Sequence, residues 1–138
     1  MRITSSDIYT YYNPSPCELR LFLDTQGEEE ESPRSAFEEV IMRMGVEHER
    51  QHLAALDNVI DLSDGTLDER ISHTAAEIDA GDRVIYQGVL RADVEIDGVA
   101  LEILGIPDFL IPDGEGGYII RDSKIARRID ETVHPEIF

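Results

Sequence analysis

Residues 83–124 read RVIYQGVLRADVEIDGVALEILGIPDFLIPDGEGGYIIRDSK, and this stretch decides the fold class. Three runs rich in β-branched and apolar residues, 83–94, 99–111 and 117–122, are separated by turn compositions. Asp97-Gly98 is a hairpin dipeptide, because both positions tolerate positive φ. Pro112-Asp-Gly-Glu-Gly-Gly117 is a second, longer turn. Strands that follow one another across such short turns pair antiparallel.

Working outward, the pattern upstream is helical. Two short helices are expected over 5–12 and 15–24, the second with Pro16 near its first turn and Leu19, Phe22 and Leu23 on one face. Gln26 to Arg34 contains Glu28 to Glu31 and reads as a solvated loop, since four like charges in a row repel. Ser35 is a capping residue for a long helix to about Ile60. Its stripe is Phe37, Val40, Ile41, Met44, His48, His52, Ala55 and Val59. After Asp64-Gly65, residues 66–80 repeat Leu67, Ile71, Ala75 and Ile78 at helical spacing and stop before Gly81. Downstream of Lys124 a helix is expected to about Asp130. The spacing therefore predicts an α+β domain spanning 1–138. It would be helical over about 1–80, with a three-stranded, largely antiparallel sheet and a closing helix over about 81–138.

Composition sets the bounds. A chain of 138 residues is long enough for one domain with its own core. It contains no run of about 20 apolar residues and no basic-then-apolar leader, so the expectation is a cytoplasmic protein without membrane contact. Thirty acidic residues against eleven arginines and one lysine give a formal charge of −18. Phosphate binding normally shows as a basic patch, so charge by itself favours an acidic interaction domain. The one cysteine, Cys17, excludes an internal disulfide and a cysteine-only metal site within this chain, and reads as a small buried apolar residue.

Against that charge stands the placement of the sole lysine. In Asp122-Ser123-Lys124, at the end of Tyr118-Ile119-Ile120, strand alternation sends Asp122 and Lys124 to one face and Ser123 to the other. A carboxylate for a divalent cation and an ammonium for a phosphate or a water are thereby adjacent. Asp108, fourteen residues earlier and between the apolar Ile106 and Phe109, would lie on the neighbouring strand, where two carboxylates share Mg²⁺ or Mn²⁺. On the long helix, His48 and His52 are four residues apart, as two imidazole ligands would be. Gly45 would let that helix approach the sheet.

In this order the residues resemble a known family. Gly105-Ile-Pro-Asp108-Phe-Leu and Tyr118-Ile-Ile-Arg-Asp122-Ser-Lys124-Ile-Ala-Arg are similar to the second and third motifs of RecB-like nucleases. These belong to the PD-(D/E)XK superfamily, which includes the CRISPR-associated RecB-like exonucleases. Gly45-x-x-His48-Glu is similar to their histidine motif, Tyr86-Gln87 looks family-like, and Pro16-Cys17-Glu-Leu-Arg20-x-x-Leu23 resembles the segment that holds a first iron–sulfur cysteine in some members.

The resemblance implies a restriction-endonuclease-like core and a metal-dependent nuclease, a DNA exonuclease before an RNA enzyme, working in repair, recombination or CRISPR-type processing. It implies that Asp108, Asp122, the Ser123 carbonyl and His48 hold Mg²⁺ or Mn²⁺, that Lys124 acts on the attacking water, and that Cys17 is an iron–sulfur ligand in a longer form. The net charge fits this picture only if arginines such as Arg20, Arg121, Arg127 and Arg128 gather near the cleft, or if missing parts provide the basic surface. The protein would act as a homo-oligomer or within a larger repair complex. Members continue past this point with a glutamine–tyrosine motif and, where a cluster is bound, three more cysteines. The chain stops at His134-Pro-Glu-Ile-Phe138, so an N-terminal fragment or short version is expected, weakly active or inactive by itself. The competing expectation is a catalytically incomplete nuclease-fold module serving as an acidic scaffold.

Overall fold

A computed structural model describes residues 2–26 and 35–124. The helix expected after Lys124, Arg127 and Arg128, and nearly all of the acidic loop lie outside the described residues. The described elements, in chain order, are β1 (Arg2–Thr4), α1 (Ser5–Tyr12), α2 (Glu18–Gln26), α3 (Ala36–Ala54), β2 (Val59–Asp61), α4 (Leu67–Ala80), β3 (Val84–Tyr86), β4 (Leu90–Ile96), β5 (Val99–Gly105), β6 (Phe109–Pro112) and β7 (Tyr118–Arg121). The class is α+β.

Helix starts follow local chemistry. Thr4, Ser35 and Thr66 each accept from the backbone N–H three residues on, and Asp7, Glu38 and Glu69 reach back to the capping residue. These are reciprocal capping boxes, satisfying amides that the first helical turn leaves open. Gly81, in the left-handed region at φ 75°, ends α4. Between α1 and α2, the Arg20 guanidinium donates to the carbonyls of Thr10, Asn13 and Ser15. Arg20 is therefore committed to this turn and does not reach toward a nucleic-acid cleft. Cys17 has a local part as well: its Sγ accepts from the Arg20 amide at 3.4 Å, at the head of α2.

The sheet differs from the expected three strands. There are two mixed sheets, β1-β5-β4 and β2-β3-β6-β7, with β1 parallel to β5, β2 parallel to β3, and the remaining pairs antiparallel. Both long β-runs break where the backbone cannot continue. Gln87 has φ 55°, and a Cβ on Gly88 would lie 3.0 Å from Ile85 Cγ2 and 3.2 Å from Thr74 Cγ2. The run 83–94 therefore splits into β3 and β4, which join different sheets. Pro107 has no N–H for a ladder, so 99–111 splits into β5 and β6. The Asp97-Gly98 turn is a hairpin as expected, with φ 52° and 77° and Ile96 opposite Val99.

The long helix also ends earlier than expected. Asn58 turns the chain at φ 55° and its side-chain amide donates to the Asp82 carbonyl at 2.8 Å. The β-branched pair Val59-Ile60 is then free to pair with Val84 and Ile85 in β2.

The core lies on the four-stranded sheet. Ile85 and Phe109 are fully buried and Leu110 nearly so; Leu62, Ile85 and Leu110 pack with Ile60, Ile78, Leu90 and Tyr118. Thr74 ties α4 to this core. Its buried hydroxyl donates to the Arg70 carbonyl at 2.7 Å and accepts from the Val89 amide at 2.8 Å. Thr74→Val keeps the shape and strands that amide, so urea denaturation should register a loss of about 1–3 kcal/mol. Thr74→Ser retains the hydroxyl and should lose about 1 kcal/mol, the scale of one buried methyl. Equal losses in the two variants would show that the hydroxyl does not matter.

Candidate functional site

The register of the four-stranded sheet builds the site. Val59, Ile60 and Asp61 align with Val84, Ile85 and Tyr86. Tyr86 aligns with Phe109, and Phe109 with Arg121. One residue further along, where the ladder ends, the chain carries Gln87, Asp108 and Asp122. The glycine-rich turn closes the opposite end of the β6–β7 hairpin, where Asp113 Oδ1 accepts from the amides of Glu115 and Gly117.

Asp108 and Asp122 are thus brought together and clasp each other's backbone. The Asp108 amide donates to Asp122 Oδ1 at 3.3 Å, and the Ser123 amide donates to Asp108 Oδ2 at 2.5 Å. Lys124 Nζ lies 3.4 Å from Asp122 Oδ2, both side chains being partly exposed. Acid and ammonium are side by side, but β7 ends at Arg121 and β6 begins at Phe109, so neither Asp108 nor the Asp122–Lys124 triplet lies on a strand as expected. Ser123 Oγ is buried without a hydrogen-bond partner among the described residues.

A third carboxylate stands nearby that the sequence reading did not single out. Glu49, on α3, accepts from the Tyr86 hydroxyl at 2.8 Å and from Gln87 Nε2 at 2.9 Å through the same oxygen, Oε1. Gln87 Nε2 also lies 3.4 Å from Asp108 Oδ1. One amide NH₂ thereby bridges two carboxylates. The Gln87 backbone is itself pinned, its N–H donating to the Asp108 carbonyl at 3.0 Å and its carbonyl accepting from Arg70 at 2.7 Å. Burial, then Glu49 and the acids Asp61 and Asp108, push the Tyr86 hydroxyl up to about 12.

The histidines separate. His52 is partly buried over Phe109, with ring centroids 5.1 Å apart, and Arg121 Nη1 approaches its Nε2 at 3.5 Å. His48 is exposed; its ring centroid is 6.3 Å from that of His52, and it forms no hydrogen bond or ion pair with either aspartate. The face of α3 turned toward the sheet is Gly45, Glu49, His52 and Leu53, and of these only His52 belongs to the stripe read from the apolar residues. A Cβ at Gly45 would meet nothing within 4 Å, so no close approach depends on that glycine.

Asp108, Asp122 and the Ser123 carbonyl are hard oxygen donors of the kind Mg²⁺ and Mn²⁺ select. The bridging Gln87 amide occupies, as a partial positive charge, the space between two carboxylates. Among the described residues no three His, Cys, Asp or Glu side chains form a ready metal-ligating group, so this donor set would need a ligand from water or substrate. Also among the described residues, no helix is long and apolar enough to cross a membrane.

Compared with known proteins, the chain matches no family model, no curated protein and no solved structure.

Burial raises the Asp108 pKa above the usual aspartate range; Asp122 and Glu49 add to the rise, while the Ser123 amide and Lys124 oppose it. A carboxyl with a raised folded-state pKa favours the fold when protonated. Its stabilising contribution is complete below the unfolded value of about 3.9 and is lost as pH climbs through the folded value. Asp108→Asn should therefore melt higher than the native chain at pH 7, and the gap should close below about pH 4. Melting curves by circular dichroism check this, and a pH-independent gap would place the effect in shape rather than charge.

Proposed function

We propose that the chain is a metal-dependent nuclease that hydrolyses phosphodiester bonds, on a restriction-endonuclease-like core of RecB-like type. The observation that carries the reading is the Asp108–Asp122 clasp with Lys124 against Asp122. It unites three residues that lie across a seventeen-residue stretch of sequence at the open end of one hairpin. DNA is the first substrate to test and RNA the second. An acidic scaffold remains the second reading, and one feature favours it: an oxygen of each aspartate is already engaged by a backbone amide, as in a purely structural hairpin closure.

On the nuclease reading, Asp108, Asp122 and the Ser123 carbonyl would hold Mg²⁺ or Mn²⁺, which neutralises phosphate charge and makes a bound water more acidic. The chain's own residues do the rest. The Asp108–Ser123 and Asp122–Asp108 bonds fix the two carboxylates against each other before any ligand arrives. Glu49, through Gln87, holds the Asp108 carboxylate from the α3 side. Lys124 Nζ would donate toward a phosphate oxygen or the attacking water. Arg121, beside His52 on β7, adds positive charge near the same edge.

Two measurements test the proposal. Mn²⁺ in calorimetry should bind the native chain and fail to bind Asp122→Asn at the same concentration. At about 100 times its dissociation constant it should stabilise the native fold by ~2.7 kcal/mol. Equal binding to both proteins would sink the shared site.

Turnover of a labelled single-stranded oligonucleotide in Mn²⁺ should fall at least ~10²-fold in Lys124→Arg. A guanidinium is larger, planar and never gives up its proton, while metal binding should be retained because the lysine is not a ligand. Native-like cleavage by the arginine variant would favour a structural lysine, and no cleavage by the native chain together with no Mn²⁺ binding would favour the scaffold.

A further inference from the structure

The first half of α3 stands clear of the described sheet. From Ala36 to Met44 every residue is exposed, and Phe37, Val40, Ile41 and Met44 are 73%, 42%, 44% and 50% exposed. These four recur at helical spacing on one side of α3. Helices in proteins owe most of their stability to packing such a face rather than to intrinsic propensity, so the stripe calls for a cover.

The same side carries a hollow. An open groove of about 660 Å³ runs along Val40, Met44 and His48, on successive turns of α3, with Glu47 and Lys124 also in its lining. Its charge is close to balanced. Lys124 is paired with Asp122 and Glu47 with Arg50, while Arg43 Nε donates to the Glu39 carbonyl of its own helix. Neither a basic nor an acidic ligand finds an excess of opposite charge there, and the ridge of Val40 and Met44 suits an apolar group.

The chain itself carries such a group on the same stripe. Phe37 lies seven residues before Met44, two turns along the helix. Let two copies of α3 lie antiparallel about a two-fold axis that passes between Val40 and Ile41. Phe37 is then level with Met44 of the partner subunit, and Val40 with Ile41 of the partner subunit. Each phenyl group meets the other copy's hollow, and the exchange is reciprocal, as an isologous contact requires.

Charge selects this direction over the parallel one. A parallel pair sets Glu38, Glu39 and Glu47 each level with its own copy, whereas the antiparallel pair sets Glu38 level with Arg43 of the partner subunit. The half of α3 that packs on the sheet, from Gly45 onward, then lies at opposite ends of the pair. Two bodies of net charge −18 are thereby kept apart.

We propose that the protein forms an antiparallel homodimer through the first half of α3, with Phe37 of each copy filling the Val40–Met44–His48 hollow of the other. A second copy is the occupant because knob and hollow share one stripe, at the spacing that a two-fold pairing exchanges. The inference stands apart from the nuclease reading, and neither cleavage nor metal binding bears on it.

The test is sedimentation equilibrium of the full chain up to several hundred micromolar, since a two-helix contact is small beside standard interfaces of ~1,200–2,000 Å². The native chain should show a reversible monomer–dimer equilibrium that tightens with salt, as repulsion between the acidic bodies is screened. Phe37→Ala should weaken it at least ~10-fold, as for an anchor seated in a pocket, and Val40→Glu should abolish it. Val99→Glu, at an exposed apolar residue of β5, should leave it unchanged. In a Cys17→Ser background, the Phe37→Cys and Met44→Cys chains oxidised together should form the mixed disulfide in preference to either self-disulfide.

A monomer at every concentration would overturn the proposal and leave the stripe to another segment of the chain or to a different protein. Loss of the dimer in Val99→Glu as complete as in Val40→Glu, or weakening with salt, would overturn it too. Self-disulfides from Phe37→Cys alone would mark a parallel pair and refute the geometry. The cross-linking arm decides the matter even if Val40→Glu does not fold.

Discussion

The pairing of β6 with β7 is the constraint on which the rest of the structure depends. Its register sets Phe109 opposite Arg121, and Phe109 is fully buried between the rings of His52 and Tyr86. Truncating such a phenyl group costs about 3–5 kcal/mol in a well-packed core. That is more than the repulsion of two partly hydrated carboxylates contributes at the neighbouring position. Asp108 is consequently held beside Asp122 by a hydrophobic anchor one residue away. The two aspartates do not choose their separation; the ladder imposes it.

Much of this was legible in the sequence, and the parts that were not share a cause. The capping residue Ser35, the stop at Gly81 and the Asp97-Gly98 hairpin are set by chemistry within three or four residues, and each appears where the local pattern puts it. The nearness of Asp108 to Asp122 was legible because one hairpin brings its two ends together, whereas the strand alternation invoked for Asp122 and Lys124 does not operate there, since β7 ends at Arg121. The division into two sheets was not, since it turns on Gln87 adopting a left-handed backbone. A non-glycine residue does so only when its surroundings over-determine it, here through Arg70, Glu49 and Asp108.

The orientation of α3 failed for a related reason. Its apolar residues Phe37, Val40, Ile41 and Met44 define a stripe, and a stripe is ordinarily the buried face. All four are exposed in the described structure, while the face toward the sheet carries Gly45, Glu49 and His52. Partly burying Glu49 is tolerable because two donors meet its Oε1, the Tyr86 hydroxyl and the Gln87 amide. Those donors come from β3 and the residue after it, far away in sequence. Periodicity alone assigns a polar residue to solvent, and only the tertiary partners reverse that assignment.

Glu49 also changes how the acidic composition bears on the site. A net charge of −18 says little about any one location, because surface charges separated by more than about 10 Å are screened from one another at ordinary ionic strength. What matters locally is that Glu49, Asp108 and Asp122 converge from α3, the residue before β6 and the residue after β7, with Lys124 the one cation that the described ion pairs assign to them. Three carboxylates and one ammonium leave a local excess of negative charge. A neutral amide at Gln87 softens that excess without cancelling it. Such an arrangement is held by burial of its neighbours rather than by its own attraction.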